Sequence, residues 1–168
     1  ANAGLDSFSV TFVAYTLTDG KRTGVLELGE GEWTIVVQSG RLYVLDAASR
    51  HMRVYDKSLI MLTEYDLPAS DDIYFAVSAD GRYILIFGSK PILCNASDGS
   101  DTKRNITTSV RSGYAFGDKF VITAGDEVAV SGREKPISIL DPATGAITYC
   151  GDERALKVNA PYLTETWN

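Results

Sequence analysis

Apolar residues along this chain come in short runs separated by polar, turn-forming residues. Thr34–Val37, Ile73–Val77 and Gly113–Phe116 are such runs, and each is followed by a tight turn and a second apolar run: Leu42–Leu45, Tyr83–Ile86 and Phe120–Ile122. The runs are rich in Val, Ile, Tyr and Phe, while Gly, Asp, Asn and Ser fill the gaps. This is the signature of antiparallel strands and turns. Helical spacing is confined to Asp152–Lys157, one or two turns at most. The pattern predicts an all-β chain.

The turns form two series. The first contains Gly40, Gly81 and Gly117, which are 41 and 36 residues apart. Ser39-Gly40 and Asp80-Gly81 suit two-residue hairpins, because glycine accepts the positive φ that these turns require. The second series lies downstream of each first turn: Asp56-Lys57-Ser58, Asn95-Ala96-Ser97-Asp98-Gly99 and Asp141-Pro142-Ala143-Thr144-Gly145, with an earlier member at Thr18-Asp19-Gly20. Units therefore recur at roughly 40 residues, the spacing of four-stranded propeller blades. A β-sandwich or barrel is the alternative, since any such fold has turns every 8–12 residues or so. The fixed alternation of the Gly turn with the Asp/Asn turn favours blades.

Val77-Ser78-Ala79-Asp80-Gly81-Arg82-Tyr83-Ile84 resembles the S-x-D-G-[RK] inner hairpin of WD-repeat and TolB-like propellers. Ile139-Leu140-Asp141-Pro142-Ala143-Thr144-Gly145 is similar to the D-x-x-T-G outer hairpin of those families and of quinoprotein repeats. The Gly-His and Trp-Asp dipeptides of WD repeats are missing, and Tyr149 stands where quinoprotein repeats carry Trp. The resemblance implies a fold and carries over no functional residue. It divides the chain into three full blades, at about 31–68, 69–111 and 112–150, with partial units at 8–29 and 158–168. Most propellers close with more blades than this. The count therefore implies part of a larger propeller completed by another chain or segment, or a strained four-bladed ring closed by the termini.

Charge narrows the partners. Sixteen basic against 22 acidic residues leave a net charge of −6. Phosphate recognition needs a clustered basic face, so nucleic acid and anionic membrane surfaces are both disfavoured. No apolar run approaches the roughly 20 residues that span a bilayer. Cys94 and Cys150 are too few for a disulfide framework, which favours an intracellular setting over a secreted one. The sequons at Asn95 and Asn105 would matter only in a secreted protein.

The residues offer little for catalysis. His51 is the sole histidine and reads as a solvated loop side chain. Cys94, preceded by Ile92 and Leu93, reads as an inert core thiol. Neighbouring acids such as Asp71-Asp72 point to opposite faces of a strand and make poor two-carboxylate sites. No catalytic residue, metal site or cofactor is therefore assigned.

A binding surface remains. The loops between second and third strands, together with those between blades, share one face that carries Arg50, His51, Lys90, Arg133, Glu134 and Lys135, with Trp33, Asp71 and Asp72 nearby. Exposed Arg and Trp are residue types that anchor interfaces. The expected function is a non-enzymatic interaction or scaffold module that presents propeller loops to a protein partner or a complementing chain. The alternative is part of a secreted or periplasmic propeller enzyme or carbohydrate-binding protein whose site is completed elsewhere.

Overall fold

The computed structural model describes residues 8–124 and 136–152, and all regular structure among them is β. The strands are β1 (Phe8–Tyr15), β2 (Arg22–Gly31), β3 (Trp33–Gln38), β4 (Arg41–Asp46), β5 (His51–Tyr55), β6 (Met61–Asp66), β7 (Phe75–Val77), β8 (Tyr83–Ile86), β9 (Ile92–Asn95), β10 (Val110–Phe116), β11 (Lys119–Ala124), β12 (Pro136–Leu140) and β13 (Ile147–Asp152). They form four separate antiparallel sheets with neighbours in chain order, β1-β2, β3-β4-β5-β6, β7-β8-β9 and β10-β11-β12-β13. The arrangement is neither a two-sheet sandwich nor a closed barrel. The candidate helix at 152–157 and the terminal unit 158–168 lie outside the described residues, apart from Asp152, which ends β13.

The sheets stack face to face in chain order, which explains why the central strands are apolar throughout. In β4, Leu42 and Val44 pack against Leu28 and Tyr55 on the β1-β2 side. Tyr43 and Leu45, on the other face, join Phe75, Val77, Ile84 and Ile86 of the next sheet. In β8, Leu85 turns the opposite way from Ile84 and Ile86, to meet Phe120, Ile122 and Leu140. A strand buried on both faces gains nothing from polar alternation, so the run is continuous. Outer strand β6 keeps an alternating burial pattern instead. The inner strands β3, β7 and β10 are neighbours, with β7 between the other two.

Turn chemistry is local and repeats. Ser39 and Gly40 both adopt positive φ, 53° and 69°, as a two-residue hairpin demands. The hairpin at Asp80-Gly81 is longer than the dipeptide predicts, since Val77 pairs with Ile84. The cause is the S-x-D-G-R motif itself. The buried Ser78 hydroxyl donates to Asp80 Oδ1 (2.6 Å) and accepts the Tyr83 amide (2.9 Å), and Asp80 accepts the Arg82 amide (3.0 Å). These bonds hold a wider loop in which Gly81 alone is left-handed. Three of the outer turns share another device, in which a carbonyl receives the amide of the residue four places on: Thr16 from Gly20, Asn95 from Gly99 and Asp141 from Gly145.

The middle sheet has three strands where the repeat predicts four. After β9 the chain doubles back, and Asp101 forms a single bridge with Cys94 while the Thr102 amide donates to the Leu93 carbonyl. Lys103 then takes φ 59° and ends the pairing. A left-handed residue cannot continue a ladder, and in the polar run that follows Ile106 alone is buried, against the core shared by β8 and β11.

Candidate functional site

The loops β4–β5 (47–50), β6–β7 (67–74) and β8–β9 (87–91) lie at one end of the sheets and are tied to one another. Arg50 makes the first tie. Asp46 to Arg50 repeats the outer-turn device, with the Arg50 amide donating to the Asp46 carbonyl, but an arginine at φ 62° stands where the other turns have glycine. Non-glycine residues in this region cost on the order of 1 kcal/mol or more and persist where the surroundings hold them. Here the guanidinium does so, with Nη1 donating to the Asp72 carbonyl (2.5 Å) and Nη2 to that of Pro68 (3.1 Å). Its Nε is buried without a hydrogen-bond partner, and desolvation lowers the guanidinium pKa from its ordinary value.

Asp71 makes the second tie. Its carboxylate accepts both the hydroxyl and the amide of Ser89, which hold it below the usual carboxylate range, the hydroxyl contributing most. Gly88 permits the approach. A Cβ there would sit 2.2 Å from Asp71 Oδ1. Gly88 in turn exchanges backbone hydrogen bonds with Val110 at the start of β10. Asp72 is consumed structurally, accepting the amides of Ile73 and Tyr74.

Two clefts open beside the Asp71–Ser89 pair. One, of about 260 Å³, is lined by Asp71, Asp72, Gly88, Ser89, Ser109, Val110 and Arg111. The other, of about 580 Å³, lies among Ala69, Ser70, Asp71, Ser89, Lys90, Pro91 and Ile92. The first has a polar rim with Arg111 on one side, and the second has an exposed Lys90 at its mouth. Tyr74, 60% exposed, closes the β6–β7 loop at the same end.

The structure thus gathers Arg50, Asp71, Asp72 and Lys90, while the side chains of Trp33 and His51 are engaged by other partners. The Trp33 indole donates to the Gly29 carbonyl (3.0 Å) and carries the Arg53 guanidinium over its ring at 5.3 Å. It closes the β2–β3 link. His51 is not a solvated loop residue. It opens β5, pairs with Asp66 across the strands, and its ring nitrogens bond Asp66 (Nδ1, 2.8 Å) and Glu64 (Nε2, 3.2 Å). Arg133, Glu134 and Lys135 lie outside the described residues. Sequence reading missed Ser89, Arg111 and Tyr74. The short Gly-Ser-Lys-Pro stretch at 88–91 is the only local signal for the first, and none marks the other two.

The carboxylates raise the His51 pKa above 6.5, the Asp66 hydrogen bond contributing most and the Glu64 bond next. A raised folded-state pKa stabilises the fold below the unfolded value and ceases to do so as pH climbs through the folded one. Both acids are well exposed, so the effect is about 0.2–1 kcal/mol. His51→Gln is therefore expected to lower the denaturation midpoint near about pH 5 and leave it unchanged near about pH 8. Paired melts at the two pH values check this.

Cys94 is buried and Cys150 exposed, both as free thiols, and burial pushes the Cys94 thiol up to about 12. A thiol so raised is protonated at neutral pH and a poor nucleophile. Among the described residues no group of His, Cys, Asp and Glu is placed to hold a metal ion, and no helix is long and apolar enough to cross a membrane.

No family model matches the chain, and neither does any curated protein sequence. Solved structures do match. The dihydro-heme d1 dehydrogenase NirN in complex with DHE superposes with a TM-score of 0.55 at 14% identity, over 85% of this chain and 35% of that one. A chain of the mitotic checkpoint complex gives 0.54 at 13% identity, over 85% and 45%. The β-propeller domain of Cps50 (Swd1) from Myceliophteria thermophila gives 0.46 at 14%, over 74% and 40%. Stacked antiparallel sheets in chain order and the two likenesses above 0.5 define the class: this is an all-β, propeller-like chain. It spans less than half the length of each of these structures. At these identities the likeness concerns the fold alone.

Proposed function

We propose that the chain is a non-enzymatic protein-interaction module, a propeller segment that presents the loop face around Asp71, Tyr74, Lys90 and Arg111 to a protein partner and is completed by further polypeptide. The observation that carries this reading is the exposed, mixed-charge surface built from three loops that Arg50 and Asp71 lock together. A preorganised loop face loses little entropy on binding, and exposed Tyr and Arg are favoured interface anchors. Lys90 and Arg111 select an acidic surface opposite them, which speeds encounter and fixes register.

The test compares wild type with a Tyr74→Ser, Lys90→Glu, Arg111→Glu variant, and with a control changed on the opposite, hairpin face (Arg82→Ser). Affinity for a partner isolated from the native source is expected to fall at least about tenfold in the loop-face variant and not in the control. Equal affinity of all three forms, or turnover of a substrate at the loop-face clefts, overturns the proposal.

A further inference from the structure

The hairpin end of the sheets, opposite the loop face, carries a cleft of its own. The β3–β4 and β7–β8 hairpins are tied together there, the Ser39 hydroxyl donating to the Ala79 carbonyl. Between them and the outer turn after β9 lies a space of about 280 Å³, lined by Arg41, Gly81, Arg82, Tyr83, Asn95 and Ser97. Sites for drug-sized ligands begin at roughly 300 Å³, so this one suits a smaller molecule.

Its wall is polar, and much of its hydrogen-bonding capacity is uncommitted. Arg82 is held in place, with Nε donating to Asp80 Oδ2 (2.5 Å) and the guanidinium 5.7 Å from the Tyr83 ring centroid. Its Nη groups make no such bond among the described residues. Arg41 is exposed and forms no ion pair among the described residues. Asn95 donates through Nδ2 to Ser100 Oγ (2.9 Å), which leaves its Oδ1 as an acceptor, and Ser97 is exposed beside it. One layer below sits Tyr43, fully buried, whose hydroxyl has no hydrogen-bond partner. That hydroxyl lies under Gly81, where a Cβ would come within 3.6 Å of it, and next to the Arg41 guanidinium. A buried, unpaired hydroxyl destabilises a fold, and phenylalanine would fill the same space without one.

We infer that this cleft binds a small hydroxylated carboxylate, its carboxylate held by Arg41 and the Nη groups of Arg82 and its hydroxyls by Asn95 Oδ1 and Ser97 Oγ. A carboxylate oxygen seated between Arg41 and Gly81 gives the Tyr43 hydroxyl the acceptor it lacks. Local charge selects a monoanion. Arg41 is the unpaired cation and Asp80 offsets Arg82, while Asp98 shares a turn with Ser97 and Asp118 acts on Arg82. A dianion such as phosphate meets those two carboxylates as well as the arginines. Guanidinium–carboxylate bonds are charge-assisted and strong, and the tied hairpins leave little to order on binding. The site is separate from the loop face and goes beyond the interaction reading.

The probe is glucuronate, titrated into the full chain while backbone amide resonances are followed. The expected result is saturable shifts centred on Gly81, Arg82 and Ser97, with a dissociation constant of about 1 mM or below. Glucose, acetate and inorganic phosphate should each bind at least about tenfold more weakly. Arg41→Gln should melt like wild type, because Arg41 is exposed and unpaired, and bind glucuronate at least about tenfold more weakly. Tyr43→Phe should be at least as stable as wild type and bind about three- to tenfold more weakly, a loss that a hydroxyl with a purely structural role would not produce. The inference is overturned by no saturable shift, by shifts centred on Ser89 and Arg111 instead, or by equal binding of glucose or phosphate. Unchanged affinity in Arg41→Gln overturns it too, as does a Tyr43→Phe variant that binds like wild type or melts below it. None of these results bears on the loop-face reading, which is measured on a different partner.

Discussion

Phe120→Ala is expected to destabilise the protein by about 3–5 kcal/mol, the usual cost of emptying an aromatic site that cannot collapse. Phe120 is fully buried and reaches from β11 into the middle sheet, where Ala76, Leu85 and Leu93 surround it. Its cross-strand neighbours are Ala115, too small to fill the space, and Leu140, already packed in the same cluster. Each sheet touches only its neighbours in the stack, so the damage should be local first. Amide exchange in β10–β13 is expected to rise well above that in β3–β6. Equal acceleration in both sheets would show that the stack opens as one cooperative unit.

The second large effect falls on Arg50. Arg50→Met removes two hydrogen bonds from a charged donor to half-buried carbonyls and keeps a side chain at φ 62°, for an expected loss of about 2–3 kcal/mol. Arg50→Gly removes the same bonds but relaxes the backbone, recovering about 1 kcal/mol. Glycine should therefore be the milder substitution, reversing the usual order for a truncation. Denaturant melts of the two variants read the difference. If methionine proves the milder, the backbone at Arg50 is not held against its preference. Both variants should also loosen the β6–β7 loop, seen as faster exchange at the amides of Ile73 and Tyr74.

Much of the local structure was legible in the residues because turns are decided by their own atoms. Ser39-Gly40 and the outer turns ending at Gly99 and Gly145 follow from glycine's access to positive φ and from the hydrogen bonds of the residues beside them. The Arg50 turn uses the same spacing and was missed, since arginine carries no turn signal and its guanidinium acts across two loops. His51 was misread for a similar reason. Its partners Glu64 and Asp66 sit on the next strand, and only pairing register brings them to the ring.

The candidate surface divides along the same line. Asp71, Asp72, Arg50 and Lys90 were visible as polar residues in loops, but which of them face solvent was not. Asp72 and Arg50 turn out to be structural, while Tyr74 and Arg111 are exposed. An apolar run such as Tyr83–Ile86 likewise announces a strand without saying which sheet each side chain will meet. By itself the sequence determined the class of element, the turns between elements and their repetition at roughly 40 residues. The tertiary structure alone decided the rest: the loss of a fourth strand at Lys103, the locking of three loops, and which face of β3 leaves Val37 exposed. Each depends on contacts between residues far apart in the chain, where packing and not local preference sets the outcome.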